Sequence, residues 1–384
     1  MKPCARAAAD ARRSTIRVLF DAASERPDAI RLEVGEPSFR TPAHVVEAAF
    51  EAARAGQTKY TPNGGLRSLR ELLADRLERV NGYRAHHDEI VVTPGGMNAL
   101  YSTYLALLEP GDEVLLPTPG FPNMDEMVKL VGGTPVFYEL RADEGYLPEI
   151  ERIEALVTPR TKVLFTNSPS NPCGSVFPAA TVEALVRLAD RHDLWLIADE
   201  VYDELILDPE RQHVAARGFD EAGRVISVYS FSKVYAMTGW RLGYAVAPPP
   251  LADLLRKLQE PQVSCPSTVS QLAAQAALTG PQAVVAEMRD AYRERRDRAW
   301  AAIERRGLSG FRTQGTFYML VDVSRAGIPS LDFSLRLLRE ADVAVAPGSV
   351  FGPAGEGKVR ISMAVEAPEI EEGLARLAHV LEQA

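Results

Sequence analysis

Short apolar runs and longer amphipathic segments alternate along the chain from about residue 89 onward. The short runs are rich in β-branched residues and are bounded by Gly, Pro or Asp, which is typical of buried strands. Seven of them are predicted as strands, at 89–93, 113–117, 135–140, 162–167, 194–199, 225–230 and 242–247. Segments with helical spacing lie between several of these runs, at 96–108, 148–157 and 179–190. Because strands separated by helices are joined by crossovers, we expect an α/β domain of three layers around a mostly parallel seven-stranded sheet.

The pattern changes towards the C-terminus. A single amphipathic segment, 282–306, carries Arg and Glu on one side, and a helix of this length usually bridges two domains. Its apolar side carries Val285, Met288, Tyr292 and Ile303. Beyond it, strands are predicted at 317–323, 343–346 and 359–364, and helices at 331–340 and 368–382. We therefore expect a large domain of residues 45–285 and a smaller α+β domain of residues 1–44 and 286–384.

The N-terminal segment, residues 1–20, is rich in Ala and Arg and poor in acidic residues. Transit peptides share this composition, but no apolar stretch followed by a small-residue cleavage site accompanies it. We expect an amphipathic helix here instead. Its buried face would carry Ile16, Val18, Leu19 and Phe20.

Composition narrows the class of protein. The chain has 384 residues, of which 46% are hydrophobic and 25% charged, the balance of a soluble globular protein. No run approaches the roughly 20 consecutive apolar residues of a membrane span, so we expect no membrane partner. The net charge of −9 argues against nucleic acid, and the arginines at 293, 295, 296 and 298 are expected to form a solvated helix face. Three widely spaced cysteines favour no disulfide or metal site and indicate a reducing compartment, the cytoplasm.

Unusual residues follow several predicted strands, where open parallel sheets bind their ligands. Gly95 and Gly96 open a helix whose free N–H groups and dipole can hold a phosphate, although such glycines also serve as turn residues alone. Asp199 ends an otherwise apolar strand, and a carboxylate buried there requires a cationic or hydrogen-bonding partner. Lys233 lies at the same end of the sheet, where a semi-buried lysine can act as a nucleophilic amine or general base. A lysine neutralised by Glu200, or simply solvated, is the alternative.

Taken together, several motifs resemble those of the fold-type I, aspartate-aminotransferase-like enzymes that use pyridoxal 5′-phosphate (PLP). The motifs are Val34-Gly35-Glu36-Pro37, Lys59-Tyr60-Thr61-Pro62-Asn63-Gly64-Gly65-Leu66-Arg67, Asn171-Pro172-Cys173-Gly174, Asp199-Glu200-Val201-Tyr202, Ser230-Phe231-Ser232-Lys233, Gly239-Trp240-Arg241-Leu242-Gly243 and Val359-Arg360-Ile361-Ser362. The likeness spans nearly the whole chain. A single motif of this kind can arise by chance, but the order and spacing of all of them make the combination highly specific.

The resemblance implies roles for the residues around the cofactor ring. Lys233 would form the aldimine with the PLP aldehyde and move the proton between the substrate Cα and the cofactor C4′. Asp199 would keep the pyridine nitrogen protonated. Asn171 and Tyr202 would donate to the ring's phenolate oxygen, and Phe121 would stack on the pyridine face.

The resemblance also implies a phosphate site, a substrate site and a partner. The phosphate would be held by Gly95, Gly96, Met97, Ser230, Ser232 and Arg241. Arg360 would bind the substrate's α-carboxylate in a bidentate manner, with Gly35 and Asn171 beside it. Tyr60 would reach the active site of a second subunit, which implies a homodimer. Substrate binding would favour closure between the two domains.

Two departures from the family pattern bear on the substrate. Met97 stands where one aspartate-using subgroup has a lysine for the distal carboxylate. Gln259-Glu260-Pro261-Gln262 stands where the other subgroup has an arginine. The missing positive charge predicts a neutral or aromatic amino acid rather than a dicarboxylic one. Glu260 leaves open a basic, arginine-like substrate, although a solvated loop carboxylate is the favoured interpretation of this residue.

The resemblance thus predicts a PLP-dependent aminotransferase that works by ping-pong half-reactions between an L-amino acid and a 2-oxo acid. Other PLP reactions on the same fold, namely elimination, replacement, cyclisation or oxidation, stay open because the same residues serve them all. A third hypothesis is a regulator that has lost catalysis. The presence of every expected cofactor residue argues against it.

Overall fold

The computed structural model describes residues 2, 4–11 and 15–383. The parts of the expected domains and of the N-terminal segment that fall on residues 1, 3, 12–14 and 384 lie outside the described residues. The helices are α1 (Arg6–Asp10), α2 (Thr15–Ser24), α3 (Ala43–Arg54), α4 (Arg67–Arg76), α5 (Gly96–Leu107), α6 (Asn123–Leu130), α7 (Ile150–Glu154), α8 (Ala179–Arg191), α9 (Phe231–Val234), α10 (Pro249–Val263), α11 (Thr268–Thr279), α12 (Ala283–Arg305), α13 (Ser330–Ala341) and α14 (Ala367–Glu382). The strands are β1 (Ile30–Arg31), β2 (Ile90–Thr93), β3 (Glu113–Thr118), β4 (Thr134–Glu139), β5 (Thr161–Asn167), β6 (Trp195–Asp199), β7 (Val225–Ser230), β8 (Gly243–Val246), β9 (Ser309–Gly310), β10 (Tyr318–Asp322), β11 (Val343–Ala344), β12 (Ala346–Pro347) and β13 (Lys358–Ser362).

The seven predicted strands of the large sheet all form, and each end lies within one residue of its predicted position. Their order in the sheet is β2-β8-β7-β6-β5-β3-β4. The pairs from β7 to β4 are parallel, whereas β8 is antiparallel to both of its neighbours. A parallel return needs a crossover of at least a dozen residues that usually contains a long helix, whereas the twelve residues 231–242 between β7 and β8 contain only the four-residue α9 and one further short helical turn. The chain therefore turns back at the carboxyl end of β7.

Helices cover both faces of this sheet. Along β5, Val163 and Phe165 pack against α5, α6 and α10, while Leu164 packs against the opposite layer with α7 and α8. This alternation follows from the two-residue period of a strand. The expected three-layer α/β architecture is confirmed.

The C-terminal strands form a separate antiparallel sheet in the order β12-β13-β10-β9. The segment 343–346, expected as one strand, divides into two short strands that pair with different partners. β11 pairs with the N-terminal β1, and β12 pairs with β13, because the chain passes from one sheet to the other at Val345. The division into domains of 45–285 and of 1–44 plus 286–384 stays a prediction.

Two further expectations need correction. The helix expected at 148–157 is only α7, since the Glu149 side chain caps it by accepting bonds from the backbone N–H groups of Glu151 and Arg152. In α2, Val18 is 50% exposed and lies outside the buried face, which follows the i, i+3, i+7 spacing of Ile16, Leu19 and Ala23. Among the described residues, no helix combines the length and the apolar character that crossing a bilayer demands.

Four arginines of α12 are expected on a solvated face, and this prediction is wrong for two of them, which are buried. Arg295 and Arg296 expose only 6% and 2% of their surfaces. Arg295 Nη1 donates to Ser38 Oγ at 2.7 Å, and its Nη2 lies 2.5 Å from Glu366 Oε1. Arg296 Nη1 donates to the backbone oxygen of Thr313 at 3.2 Å. These partners are distant in sequence, so helical periodicity alone does not reveal them.

Candidate active site

A cavity of about 510 Å³ opens where β5, β6 and β7 end, at Asn167, Asp199 and Ser230. We call it the catalytic cavity. Most of the residues singled out from the sequence line it, namely Gly35, Gly96, Met97, Phe121, Asn171, Asp199, Tyr202, Ser230, Ser232, Lys233, Arg241 and Arg360. Gly95 lies directly behind this lining, and Tyr60 does not belong to it.

Asp199 is the last residue of β6 and exposes 5% of its surface. Among the described residues its carboxylate accepts only one hydrogen bond, a long one of 3.4 Å from the backbone N–H of Val201. Burial, with a smaller contribution from the neighbouring Glu200 charge, raises the pKa of Asp199 to about 7. The carboxylate is therefore poised to receive a cationic group inside the cavity.

Lys233 lies in α9, directly after β7. Its Nζ donates to the backbone oxygen of Gly35 at 2.6 Å and lies 5.6 Å from the ring centre of Phe317. The alternative that Glu200 neutralises this lysine is wrong. The Glu200 carboxylate accepts a bond from the Ala216 backbone N–H at 2.8 Å and lies 3.7 Å from His213 Nε2. The Lys233 amine thus faces the cavity with a backbone carbonyl and no carboxylate bound to it.

The start of α5 and the turn before β8 together form a cradle for an anion. The first N–H groups of a helix have no partner within the helix, and those of Gly96 and Met97 are such groups. Gly95 precedes them with a φ of +81°, and a Cβ built on it would lie 2.7 Å from Arg241 Nη2. Arg241 is held there by a 2.7 Å bond from Nη1 to the backbone oxygen of Thr238.

The side of the cradle is formed by α9. Ser230 caps this helix by accepting a 3.1 Å bond from the backbone N–H of Ser232. Both serines line the catalytic cavity. Backbone N–H groups, hydroxyls and a guanidinium converging on one point are the donor set that binds a phosphate.

Arg360, in β13, lies across the cavity and is 3% exposed. Its Nη1 donates to Asn171 Oδ1 at 3.0 Å, and its Nη2 donates to the backbone oxygen of Glu33 at 2.9 Å. The guanidinium carbon lies 4.0 Å from the ring centre of Tyr318. Burial lowers the pKa of Arg360 from its usual value, against smaller opposing contributions from Tyr318, Tyr202 and Glu33. Among the described residues no ion pair to Arg360 is formed, since the Glu33 carboxylate pairs with Arg31. A buried guanidinium in this state is a receptor for a carboxylate.

Tyr202 and Asn171 complete the polar side of the cavity. The Tyr202 hydroxyl donates to that of Tyr318 at 3.4 Å, and burial holds the pKa of Tyr202 well above its usual range. Asn171 is positioned by its backbone N–H, which donates to Asn167 Oδ1 at 2.7 Å. Because an arginine only donates, Asn171 turns its Oδ1 towards Arg360 and keeps its Nδ2 as a donor for another group.

Sequence reasoning missed part of the lining. The additional lining residues include Ile16, Glu33, Glu36, Leu100, Asn167, Val201, Thr238, Gly239 and Tyr318. Tyr318 is an ordinary aromatic residue of a strand, and no local signal marks it. Glu260 is an exposed helix carboxylate on α10, 3.4 Å from Asn63 Nδ2, and does not line the catalytic cavity. Tyr60 is 89% exposed.

Known proteins resemble this chain along its whole length. A model of the family "Aminotransferase class I and II" matches residues 27–377. The aspartate/prephenate aminotransferase of Thermus thermophilus is 39% identical over 100% of this chain and 97% of its own length. The aspartate aminotransferase of Pyrococcus abyssi is 40% identical over 96% of both chains.

A solved structure supports the same assignment. The aspartate aminotransferase of Thermus thermophilus with maleate superimposes with a TM-score of 0.94 at 38% identity, covering 99% of this chain and 100% of that one. The resemblance drawn from the sequence motifs is confirmed, and the chain belongs to the class I and II aminotransferases of fold type I.

Proposed function

We propose that this aminotransferase uses PLP to move an amino group between a neutral or aromatic L-amino acid and a 2-oxo acid. One observation carries the proposal: the unpaired Lys233 amine and the uncompensated Asp199 carboxylate face the same cavity. A buried carboxylate without a cation is costly unless a ligand supplies the charge.

The residues present fit PLP. Asp199 would pair with the protonated ring nitrogen, which explains why the protein leaves this carboxylate without a cation of its own. The cradle of Gly96, Met97 and Arg241 would hold the phosphate, and Lys233 would bind the aldehyde carbon. When bound, PLP supplies an electron-withdrawing ring that makes the substrate Cα–H acidic.

The chain's own groups have distinct tasks in the transfer. Arg360 would exchange its present acceptors for the two oxygens of the substrate's α-carboxylate. Lys233 Nζ, once displaced by the substrate amine, would remove the proton from Cα and return it on the cofactor side. The Tyr202 phenol stays protonated because its pKa is raised, so it can donate to the ring oxygen together with Asn171 Nδ2.

The cavity favours a substrate without a second carboxylate. Its apolar lining includes Ile16, Met97, Leu100 and Val201. Among the described residues that line it, the only lysines and arginines are Lys233, Arg241 and Arg360, and each has another task. A distal carboxylate would therefore lose its water without gaining a cation, and we expect aspartate to be used less efficiently than alanine or phenylalanine.

We further propose a homodimer in the cytoplasm. Tyr60 projects from the surface, and large apolar side chains are also exposed on α3 and α10, at Phe50, Leu254 and Val263. A partner that covered these side chains would remove their apolar surface from water, which supports the proposed dimer. The three cysteines are free, which fits a reducing compartment.

The test uses the PLP-loaded protein and one amino acid at a time, with no 2-oxo acid added. A transaminase must release at most one equivalent of 2-oxo acid per site and leave pyridoxamine phosphate behind. The oxo acid is measured by chromatography and the cofactor by its absorption. Continuous release of oxo acid together with ammonia would overturn the proposal in favour of elimination, for an amino acid with a leaving group on Cβ, or of oxidation by O2 for one without.

A further inference from the structure

A second cavity of about 500 Å³ lies beside the catalytic cavity, and we call it the side cavity. It is bounded by the end of β3, the first turns of α6 and the loop 349–353. Phe121 lines both cavities. At the start of α2, Thr15 lines the side cavity and the next residue, Ile16, lines the catalytic cavity. The two cavities therefore adjoin at the Phe121 ring and at the first two residues of α2.

The walls of the side cavity are largely aromatic and aliphatic. Its apolar residues include Leu116, Phe121, Phe137, Phe165, Val350 and Phe351. Phe165 is fully buried, and Phe137 is 38% exposed. A space of this size and lining accommodates an aromatic ring, which gains from burial and from edge or stacking contacts with the phenylalanines.

Three charged side chains of α6 line the side cavity, two carboxylates and one ammonium. Lys129 Nζ lies 2.9 Å from Asp125 Oδ2 and 3.1 Å from Glu126 Oε1. A cationic substrate side chain would have to compete with Lys129 for these carboxylates, whereas an uncharged ring would leave the ion pairs in place. The arginine-like substrate that Glu260 left open is therefore the competing occupant that the test below must distinguish.

The side cavity begins next to the group that would bind the substrate's α-carboxylate. The guanidinium carbon of Arg360 lies 4.9 Å from the ring centre of Phe351, a wall of the side cavity. An amino acid whose α-carboxylate binds Arg360 would therefore lie close to Phe351. Phe121 lines both cavities, so a side chain that leaves the catalytic cavity beside Phe121 would enter the side cavity.

We propose that the side cavity receives the ring of an aromatic amino-acid substrate and so sets the specificity of the enzyme. This inference rests on the proposed function, which it extends from a neutral or aromatic substrate to an aromatic one. Phe121 would then contact the cofactor ring on one face and the entering side chain on the other.

The test places a larger side chain at Val350, in the loop 349–353, so that it fills part of the side cavity. Val350→Trp should lower the ratio of kcat/KM for phenylalanine to that for alanine by about tenfold or more. Val350→Leu fills less of the side cavity and should lower the ratio less. This variant tests the proposal even if the tryptophan variant does not fold. Val80→Trp, at an exposed site on the π-helical turn after α4, is the matched control and should leave the ratio unchanged.

A binding measurement supplies a readout that needs no turnover. We expect 3-phenylpropionate to bind the PLP-loaded protein in titration calorimetry at least about tenfold more tightly than propionate, and Val350→Trp to remove most of this difference. Equal binding of the two acids, or an unchanged ratio of phenylalanine to alanine, would overturn the side-cavity proposal while transamination of alanine persists. Preference for arginine that Asp125→Asn abolishes would also overturn it. Failure of every amino acid to convert the cofactor would instead refute the proposed function.

Discussion

Within the part of the chain that the structure describes, Lys233 has a single acceptor, the backbone oxygen of Gly35, and this leaves its amine available for chemistry. We expect Lys233→Ala to lower turnover by at least about a thousandfold while the protein still binds PLP through the phosphate cradle and Asp199. Borohydride reduction followed by peptide mapping should find a pyridoxyl group on Lys233 in the unaltered protein. Lys257→Ala, at an exposed position of α10, is the control and should behave normally. Normal turnover of Lys233→Ala would refute the assignment.

Asp199 makes the stability of the cofactor-free protein depend on pH. Burial raises the pKa of Asp199 to about 7 in the folded state, above the value of about 3.9 in an unfolded chain. Between these values the folded protein holds a proton that the unfolded chain releases, so this group's contribution to stability falls as the pH rises through the window. Asp199→Asn does not titrate and should therefore gain stability relative to the unaltered protein between pH 5 and pH 8.

Thermal unfolding of both cofactor-free proteins at the two pH values measures this difference. Saturating PLP should reverse the order at pH 8, since the anionic carboxylate can pair with a ring cation and the amide cannot. A difference between the two proteins that stays constant from pH 5 to pH 8 would mean that Asp199 ionises normally.

Individual residues differ in how visible they are in the sequence. Asp199 and Lys233 are recognisable because a charged group within an apolar run needs a chemical reason. Arg295 is not recognisable in this way, since its helix is rich in arginine and its partners, Ser38 and Glu366, come from other parts of the chain. Tyr318 contacts Tyr202 and Arg360 only because β10 and β13 pair in one particular register.

Among the elements, the turn into α5 allows the most specific prediction, which concerns the affinity for PLP. Gly95→Ala would force a positive φ on a residue with a side chain and would place its Cβ 2.7 Å from Arg241 Nη2. We expect a loss of PLP affinity of about tenfold or more, measured by titration of the cofactor-free protein. Gly82→Ala, at φ +75° with nothing within 4 Å, is the matched control. It should lose about 1 kcal/mol of stability and keep its affinity for PLP.

If both glycine variants lost PLP affinity equally, backbone strain and not displacement of Arg241 would be the cause.

The elements themselves were largely predictable, because the period of the apolar residues identifies each strand of the large sheet. The antiparallel direction of β8 was not, since it depends on the short connection through α9. The division of 343–346 between two sheets likewise depends on partners, β1 and β13, that lie elsewhere in the sequence.

At the scale of the whole molecule, the catalytic cavity combines segments from both ends of the chain. Gly35 precedes β2 of the large sheet, Lys233 follows β7, and Arg360 belongs to the C-terminal sheet. The bond from Lys233 to the Gly35 backbone and that from Arg360 to the Glu33 backbone connect these segments directly. Ligands that take over the Lys233 and Arg360 groups would break both bonds, and binding is thereby coupled to the relative position of the segments.

The proposed dimer can be tested by mixing two defective variants. Lys233→Ala lacks the amine of its own site, and Tyr60→Ala lacks the exposed ring that would serve the partner's site. A hybrid dimer then has one site with both defects and one site with neither. At a PLP concentration that leaves Tyr60→Ala mostly unloaded, the mixture should recover about a quarter of the unaltered activity, because random exchange makes half of the dimers hybrids with one intact site each.

The alternative geometry gives the opposite result. If Tyr60 acted only on the cavity of its own chain, each hybrid would contain one site without Lys233 and one without Tyr60, and mixing would restore nothing. Sedimentation of the mixture confirms that exchange has occurred, and Lys233→Ala and Tyr60→Ala measured separately at the same PLP concentration give the activity expected without complementation. Recovery thus requires that Tyr60 of one subunit and Lys233 of the other act on the same cofactor, which is the arrangement that the proposed dimer predicts for the exposed Tyr60.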